Sequence, residues 1–576
     1  MTVVDSFFTA DPALIPLLHQ ALAPEDVAPA TAWLEELGAQ AAQELDALAV
    51  TADRNTPVLH QWDRTGERMD RVEHHPAFDR LNEVAFEQHG FAAMSHRPGV
   101  HGWDGTVPHA LKYALCYEFI QAEFGLFCPI SMTDSAARLL RKFGGPEHQQ
   151  YVDTLTSTDP QRRATGAMFM TEQQGGSDVG KTATQAVQRD GGWFLTGRKW
   201  FCSNPTAEVI MTLARVPGGP EGTKGLGLFL VPRHLSGGEL NGLRIDRLKD
   251  KLGARSFASA EVTLEDCYAI PVGPLESGFL TMTEMMNSSR LSNAVRSAGL
   301  MRRAITSAVE FAREREAFGR PLFDAPLMRQ TLLPLVVTAE ASLALTMLTA
   351  VSLQASDAGE GHGRVEAWVL TPLAKLVVTK RARQVVSEAL EVRGGNGYIE
   401  EWPEARLLRD AHLGSIWEGS SSIIALDVLR AIRTGDALEA LHRLGRDRLC
   451  TVGSKDAHLA TLVDKATERL HAAVTRIRKV ADDRDEASAV DAATGLADAL
   501  SACELVATAA AEAAAGRGYR VALVAALFLD TDVGPLALPA ARPGPTNVGL
   551  EHLDVLADGG HLDPSGLAAL HEGSAG

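Results

Sequence analysis

The segment Ser415-Ile-Trp417-Glu418-Gly419-Ser420-Ser421-Ser422 places one carboxylate between a tryptophan and a glycine at a helix entry. A carboxylate beside apolar walls has a raised pKa and can abstract a proton near neutral pH. The same residues also fit a capping box, because Ser415 and Glu418 stand at S-x-x-E spacing. Four other stretches carry potential chemistry. In Met168-Phe-Met170-Thr171-Glu-Gln-Gln-Gly175-Gly176-Ser177-Asp178 a strand runs into a Gly-rich loop with a hydroxyl at each end. Such a loop lets backbone N–H groups and hydroxyls approach a flat polar ligand; a plain β-turn after a strand looks the same. In Lys199-Trp200-Phe201-Cys202-Ser203-Asn204, Phe201 and Ser203 are two residues apart on a strand and so share a face. That pair can stack on a ring and donate to it, or serve as ordinary core.

The third stretch is Arg313-Glu-Arg315-Glu-Ala-Phe318-Gly319-Arg-Pro at the end of a helix. Arg315 can grip a phosphate and Phe318 can pack on a cofactor. A dipole-matched helix end with a Gly cap and a Pro stop has the same composition. The fourth is Glu391-Val-Arg-Gly394-Gly395-Asn-Gly397-Tyr398, a break between helices that can admit a pyrophosphate to the backbone or be only a loop.

The elements that must position these residues change in texture along the chain. Residues 1–160 read as mostly helical, with Leu34, Leu37, Ala41, Leu45 and Leu48 at helical spacing. Residues 49–75 read as a polar loop around the turn Arg64-Thr-Gly-Glu67. Residues 161–280 alternate short apolar runs with Gly-rich turns and read as an all-β domain. Residues 281–435 return to the helical period with almost no internal Gly or Pro, as a bundle. Residues 436–534 form a further, Ala-rich helical extension. Pro and Gly accumulate over residues 535–576, which read as a flexible tail. The fold class is therefore mainly α with a central all-β domain.

The 576 residues are 45% hydrophobic and 22% charged, with a formal net charge of −18. That suits a large multi-domain protein and argues against a wide nucleic-acid footprint, which needs a basic face. The opening Met1-Thr-Val-Val-Asp5 has no basic region ahead of an apolar one, so no signal peptide is expected. No apolar run reads as a membrane span; Tyr519–Leu529, taken as the richest, is too short. The six cysteines show neither CxxC nor zinc spacing, so no metal is expected and a reducing cytoplasmic setting is. A GxGxxG following a strand is missing, which argues against a Rossmann site.

Taken in this order and spacing, the five stretches resemble the acyl-CoA dehydrogenase superfamily over about residues 120–435. The resemblance implies an N-terminal helical domain, a β-barrel domain and a C-terminal helical bundle. It implies non-covalent FAD with its ring between the β domain and the bundle. By position, Met168, Met170, Thr171 and Ser177 would line the flavin and acyl entrance. Phe201 would take the place of the usual Trp and Ser203 that of the usual Thr, and Ser420 and Ser422 would complete the flavin site. Arg315, Phe318, Gly394 and Gly395 would hold the ADP half across a subunit boundary, which implies a homo-oligomer, usually a tetramer. Ser177 and Arg290 would touch an acyl thioester. Glu418 falls on the family's catalytic base for α,β-dehydrogenation of an acyl-CoA. Ser289 occupies the position of the alternative base, so Glu418 has no evident rival.

Within the superfamily the chain most resembles the AidB, or alkylation-response, subgroup. The resemblance rests on Asp63-Arg-Thr-Gly-Glu-Arg-Met-Asp-Arg-Val-Glu-His-His75-Pro-Ala77, Cys128-Pro-Ile-Ser-Met-Thr133, Arg247–Ser256, Glu391 and Ser415-Ile-Trp-Glu-Gly. It implies a short or branched acyl substrate. It offers two alternatives: a DNA-associated alkylation-protection flavoprotein with weak dehydrogenase activity, or an oxygen-using biosynthetic flavoenzyme. Duplex DNA is a doubtful partner. Residues 441–576 hold 13 Lys or Arg against 19 Asp or Glu, the wrong balance for gripping phosphates. Lys465, Arg469, Arg476, Arg478 and Lys479 on one helix are the local exception.

Overall fold

The computed structural model describes residues 4–433, 435–452, 456–530 and 545–567. They divide into two compact units: residues 45–107 with 123–289, and residues 1–44 with 108–122 and 290–576.

The first of these units carries the β structure. β1 (Val58–Trp62) and β2 (Arg68–Glu73) form an antiparallel hairpin, where the sequence suggested only a polar loop. Its turn is closed by Asp63 Oδ1, which accepts the Thr65 and Glu67 N–H groups at 2.7 and 2.9 Å. Seven further strands form one sheet: β3 (Gly166–Phe169), β4 (Gln185–Arg189), β5 (Gly192–Ser203), β6 (Val209–Arg215), β7 (Leu226–Pro232), β8 (Leu243–Leu248) and β9 (Ser259–Pro271). β6, β4, β5, β9 and β7 pair in a ring, because β7 bonds to both β9 and β6. Closure leaves this ring without an open edge. β3 joins β6 in parallel and β8 joins β9. Leu195, Cys202, Ile210, Phe229 and Val262 fill the interior, one face of each alternating strand. The Phe127–Phe143 helix lies close against β3: a Cβ on Gly166 would stand 2.9 Å from the Thr133 Cα.

The second unit is helical. Its long members are the unit's part of Gly278–Glu314, then Pro326–Ala358, Gly363–Val392, Pro403–Gly414 and Ser421–Arg433. Pro326 opens its helix at the first turn, and Gly359, at φ +71°, closes it in the left-handed region. That helix has the length and apolar composition to cross a membrane, which the sequence reading overlooked. Of its most apolar 18-residue window, 89% is buried inside the protein, so it is a core helix. Three buried hydroxyls along it donate within the helix, those of Ser342, Thr346 and Thr349, as where Ser342 donates to the Thr338 carbonyl at 2.7 Å.

The extension helices Ala437–Cys450, Ala457–Asp483, Ala489–Ala514 and Arg520–Leu529 belong to this same unit. Buried ion pairs tie them in, Arg381 with Asp498 at 2.5 Å and Arg520 with Glu340, while half-buried Arg448 joins two of them by pairing with Glu504 at 2.6 Å. Gly445 permits a close crossing, since a Cβ there would lie 2.7 Å from Leu470. Another buried cluster joins the unit's three chain segments: Asp11 accepts the Tyr117 hydroxyl at 2.6 Å and lies 3.4 Å from Arg302 Nε.

The stretch read as a flexible tail lies partly outside the described residues. Within it, Pro545–Glu551 and Leu553–Asp558 are helices. Val548, Leu553, Leu556 and Leu567 are buried, and Asp558 pairs with Arg313 at 2.7 Å. Four apolar anchors at irregular spacing escaped a reading based on period.

Candidate functional site

In the β unit, alternation along β3 sends Ala167 and Phe169 into the core and leaves Met168 and Met170 half-buried on the other face. β5 has a register shift between Lys199 and Cys202. The bulge turns two neighbouring aromatics outward while Lys199 and Cys202 stay buried. Phe201 is 58% exposed. Lys249 Nζ lies 3.5 Å from the centre of the Trp200 ring and 5.0 Å from that of Phe201. Ser203 Oγ is 3.3 Å from Ser259 Oγ.

The loop after β3 is held by a pair that the motif reading passed over. Lys199 Nζ, fully buried, donates to Glu172 Oε1 at 2.8 Å and to the Leu213 carbonyl at 2.9 Å. Glu172 also accepts the Ala183 N–H at 2.7 Å and the Thr184 hydroxyl at 2.5 Å. Burial opposes ionisation of both groups. For Glu172 the lysine and its hydrogen bonds outweigh that cost and hold the carboxyl below its usual range; for Lys199 burial prevails and lowers the ammonium pKa. The Trp200 N–H donates to the Thr171 carbonyl at 2.8 Å, so strand and loop are fixed together. Gly176 and Ser177 stay exposed.

A cleft of about 250 Å³ in this unit is lined by His74, Phe78, Asn82, Arg163, Asn204 and Phe257 among others. None of the residues assigned to the flavin lines it. His74 stacks on Phe78 with ring centres 4.3 Å apart. Burial first, then the Lys251 charge, pushes its pKa down to about 4.

In the helical unit, the residues 414–419 are gripped at almost every step. Asn293 Nδ2 donates to the Gly414 carbonyl at 2.9 Å, and Arg383 Nη1 reaches Ser415 Oγ at 3.4 Å. The Arg296 guanidinium stacks 4.7 Å from the Trp417 ring. Arg290 Nε donates to the Glu418 carbonyl at 3.2 Å, and Lys375 Nζ donates to the Gly419 carbonyl. Residues 290, 293 and 296 recur every three positions on one helix and so face the turn together. Glu418 sits at φ +55° and Gly419 at φ +102°. Two successive left-handed residues turn the chain sharply, and the second requires glycine.

The capping box does not form. Ser415 caps the C-terminus of the Pro403–Gly414 helix, and Ser420, whose carbonyl accepts the Ile424 N–H at 3.0 Å, starts the next helix. Ser422 is exposed in its first turn. Arg290, expected on substrate, is largely enclosed. Besides the Glu418 carbonyl it binds Asp427 at 2.9 Å, and only 6% of it is exposed.

Elsewhere in this unit, Phe318 stands at the tip of a two-residue-per-strand hairpin, fully exposed at φ +54°. Arg315 is exposed at its base. Gly394 and Gly395 are exposed, and a Cβ on either would meet nothing within 4 Å. Tyr398 beside them is 83% exposed. Open glycine backbone, a projecting phenyl ring and an exposed arginine suit a phosphate-bearing aromatic ligand. On the β unit, Phe201, Met168 and Met170 suit a flat ring.

The comparisons with known proteins cover most of the chain. Residues 2–160 match the adaptive response protein AidB N-terminal domain, residues 167–267 the acyl-CoA dehydrogenase middle domain, and residues 276–433 the acyl-CoA dehydrogenase C-terminal domain. The chain is 34% identical over 463 residues to the putative acyl-CoA dehydrogenase AidB of Escherichia coli, covering 78% of this chain and 80% of that one. The chain belongs to the acyl-CoA dehydrogenase family. It carries an AidB-type N-terminal domain. It is also 35% identical over 433 residues to acyl-CoA dehydrogenase family member 11 of Caenorhabditis elegans, covering 73% of this chain and 69% of that one. The crystal structure of Caenorhabditis elegans ACDH-11 in complex with C11-CoA is similar to it at a TM-score of 0.84 and 28% identity, over 96% of each chain. Acyl-CoA dehydrogenases are FAD-dependent oxidoreductases acting on the CH–CH group of acyl-CoA, and FAD is the cofactor of this chain.

The basic helix proposed for DNA is charge-compensated. Lys465 pairs with Asp530 at 2.7 Å and Arg469 with Asp498 at 3.8 Å. Arg476 pairs with Asp491, Arg478 with Glu439 and Lys479 with Asp483. A phosphate backbone would have to displace these carboxylates.

Proposed function

We propose that this protein dehydrogenates an acyl-CoA thioester at its α,β bond with Glu418 as base. The observation that carries this is the anchored left-handed turn, which presents a half-buried carboxylate from a backbone clamped at Gly414, Glu418 and Gly419. The Cα–H proton passes to the Glu418 carboxylate, and the C–H electron pair becomes the Cα=Cβ bond as a hydride leaves Cβ. Bound FAD supplies the hydride acceptor. Met168, Met170, Thr171, Ser177, Phe201 and Ser203 serve the flavin ring and acyl entrance, with Ser420 and Ser422 from the turn side. Arg315, Phe318, Gly394 and Gly395 serve the ADP half.

Support for the thioester class comes from the family and from C11-CoA in the similar nematode protein. A short or branched chain remains the first candidate, as the AidB resemblance implies. The exposed Phe318 and Tyr398 support a homo-oligomer, a tetramer, in which a partner covers them. The ion-paired helix gives no support to a DNA-associated role. The test is an anaerobic absorbance titration of the yellow protein with acyl-CoAs from isovaleryl-CoA to C11-CoA. Bleaching by one member, lost in Glu418→Gln with FAD retained, is expected. Bleaching that survives Glu418→Gln removes the base assignment.

A further inference from the structure

Lys375 lies within the Gly363–Val392 helix and is 0% exposed. Its ammonium donates to one atom, the carbonyl oxygen of Gly419, and among the described residues no carboxylate stands within ion-pair distance of it. A buried ammonium without a counter-ion is costly, and an apolar residue would fill the space without that cost. The groups that act on it are Arg290 from the Gly278–Glu314 helix, Glu418 from the turn and Lys380 from its own helix. Asp427, the acid on the Ser421–Arg433 helix, is already engaged by Arg290 at 2.9 Å and Arg430 at 2.8 Å.

The turn explains what such a lysine can do. Glu418 and Gly419 both hold positive φ, and a side chain on Gly419 would press on Ile424 at 3.1 Å. Left-handed pairs persist only where the surroundings fix them. Arg290 fixes the first carbonyl and Lys375 the second, from two different helices. Arg290 spends its charge on Asp427. Lys375 has Glu418 as the acid that most favours its charged form.

We infer that Lys375 is a positioning residue for Glu418, which holds the turn through the Gly419 carbonyl and lends the Glu418 carboxylate its positive charge. This rests on the reading of Glu418 as base. Burial first, then the Arg290 charge, pulls the lysine down to about 7, while Glu418 pulls it back up. The charge of Lys375 is therefore favoured by the negative charge of Glu418 beside it.

The test uses the full-length FAD-loaded protein and three variants. Lys375→Met removes bond and charge, Lys375→Gln keeps a donor without the charge, and Lys375→Arg keeps the charge. Hydrogen exchange by mass spectrometry over residues 414–424 reads the clamp. The pH dependence of flavin reduction by isovaleryl-CoA and C11-CoA reads the charge. Exchange over 414–424 is expected to rise at least about tenfold in Lys375→Met and to return toward wild type in Lys375→Gln and Lys375→Arg. The acid limb of reduction is expected to move to higher pH by on the order of one unit in Lys375→Met and Lys375→Gln, and to stay in place in Lys375→Arg. Unchanged exchange in Lys375→Met overturns the clamp, with or without a reducing substrate. An unchanged acid limb in Lys375→Gln overturns the charge role. Should Lys375→Met fail to fold, Lys375→Leu takes over the exchange readout, with the same rise expected and unchanged exchange overturning the clamp, while Lys375→Gln carries the charge readout. Glu418→Gln is measured in parallel: if it still bleaches, the base reading fails, whereas altered exchange in Lys375→Met alongside an inert Glu418→Gln supports both.

Discussion

Two buried lysines serve the two candidate site regions in opposite ways. Lys199 in the β unit sits 2.8 Å from Glu172 in a network with Thr184, Ala183 and Leu213. Lys375 in the helical unit meets a carbonyl rather than a carboxylate. The first is a closed circuit whose charges cancel locally, and it makes a rigid floor for the Thr171 loop. The second is an open one, with its charge available to a neighbouring acid. A buried cation with its own counter-ion is scaffold; one without it can respond to proton movement beside it.

That contrast can be broken at several points. The largest effect is expected from Glu418→Gln, which should lower substrate-driven flavin reduction by roughly 10³-fold or more while leaving the FAD spectrum intact. Stopped-flow absorbance checks it. Next is Lys199→Met, which strands the Glu172 carboxylate. About 3 kcal/mol of stability should be lost by denaturant titration, and much of it recovered when Glu172→Leu is added. Gly419→Ala should cost about 1–2 kcal/mol through its positive φ and the approach to Ile424, and should slow reduction more than it changes acyl-CoA affinity.

The lysine contrast also predicts a pH signature. The folded pKa of Lys375, about 7, lies below the ordinary lysine value of 10.5. Between those values the unfolded chain binds the extra proton, so this group makes stability rise with pH across that window and adds nothing further below it. Thermal unfolding of wild type should therefore gain on Lys375→Met from pH 7 to pH 10. Burial lowers the Lys199 ammonium as well, so Lys199→Met should remove a pH dependence of the same sign. The smallest effect is expected at the compensated surface helix: Arg476→Ala should change stability by less than about 0.5 kcal/mol and leave duplex retention in a gel shift unchanged.

Much of the architecture was legible because burial imposes a period. The alternation of short apolar runs with Gly-rich turns over residues 161–280 is visible in the sequence, and so are the long apolar helices. The hairpin at residues 58–73 was missed because its strands carry half-buried His60 and exposed Arg71 and Glu73 around a polar turn, with little apolar face to betray them. In the site, Glu418 announced itself through its neighbours. Its capping-box disguise is resolved only by backbone geometry: Ser415 and Glu418 have the right spacing, but Ser415 ends one helix in the right-handed region and Glu418 stands at φ +55°. Lys375 was invisible because a lone lysine in Leu373-Ala-Lys-Leu-Val-Val reads as a charge that bends out to water. Glu172 and Lys199 are 27 residues apart, and nothing in either segment says that they meet.

The cluster of Asp11, Tyr117 and Arg302 has a consequence for how the protein is made. Its members come from the three separate stretches that compose the helical unit. A ribosome delivers Asp11 first and Arg302 nearly three hundred residues later, after the whole β unit has emerged. The β unit can close while translation continues, but the opening stretch waits as an unpaired nascent segment, exposing Phe7, Leu14 and Leu17 to solvent and to any chaperone near the exit tunnel. Proteolysis of stalled chains should show residues 45–289 protected before residues 1–44.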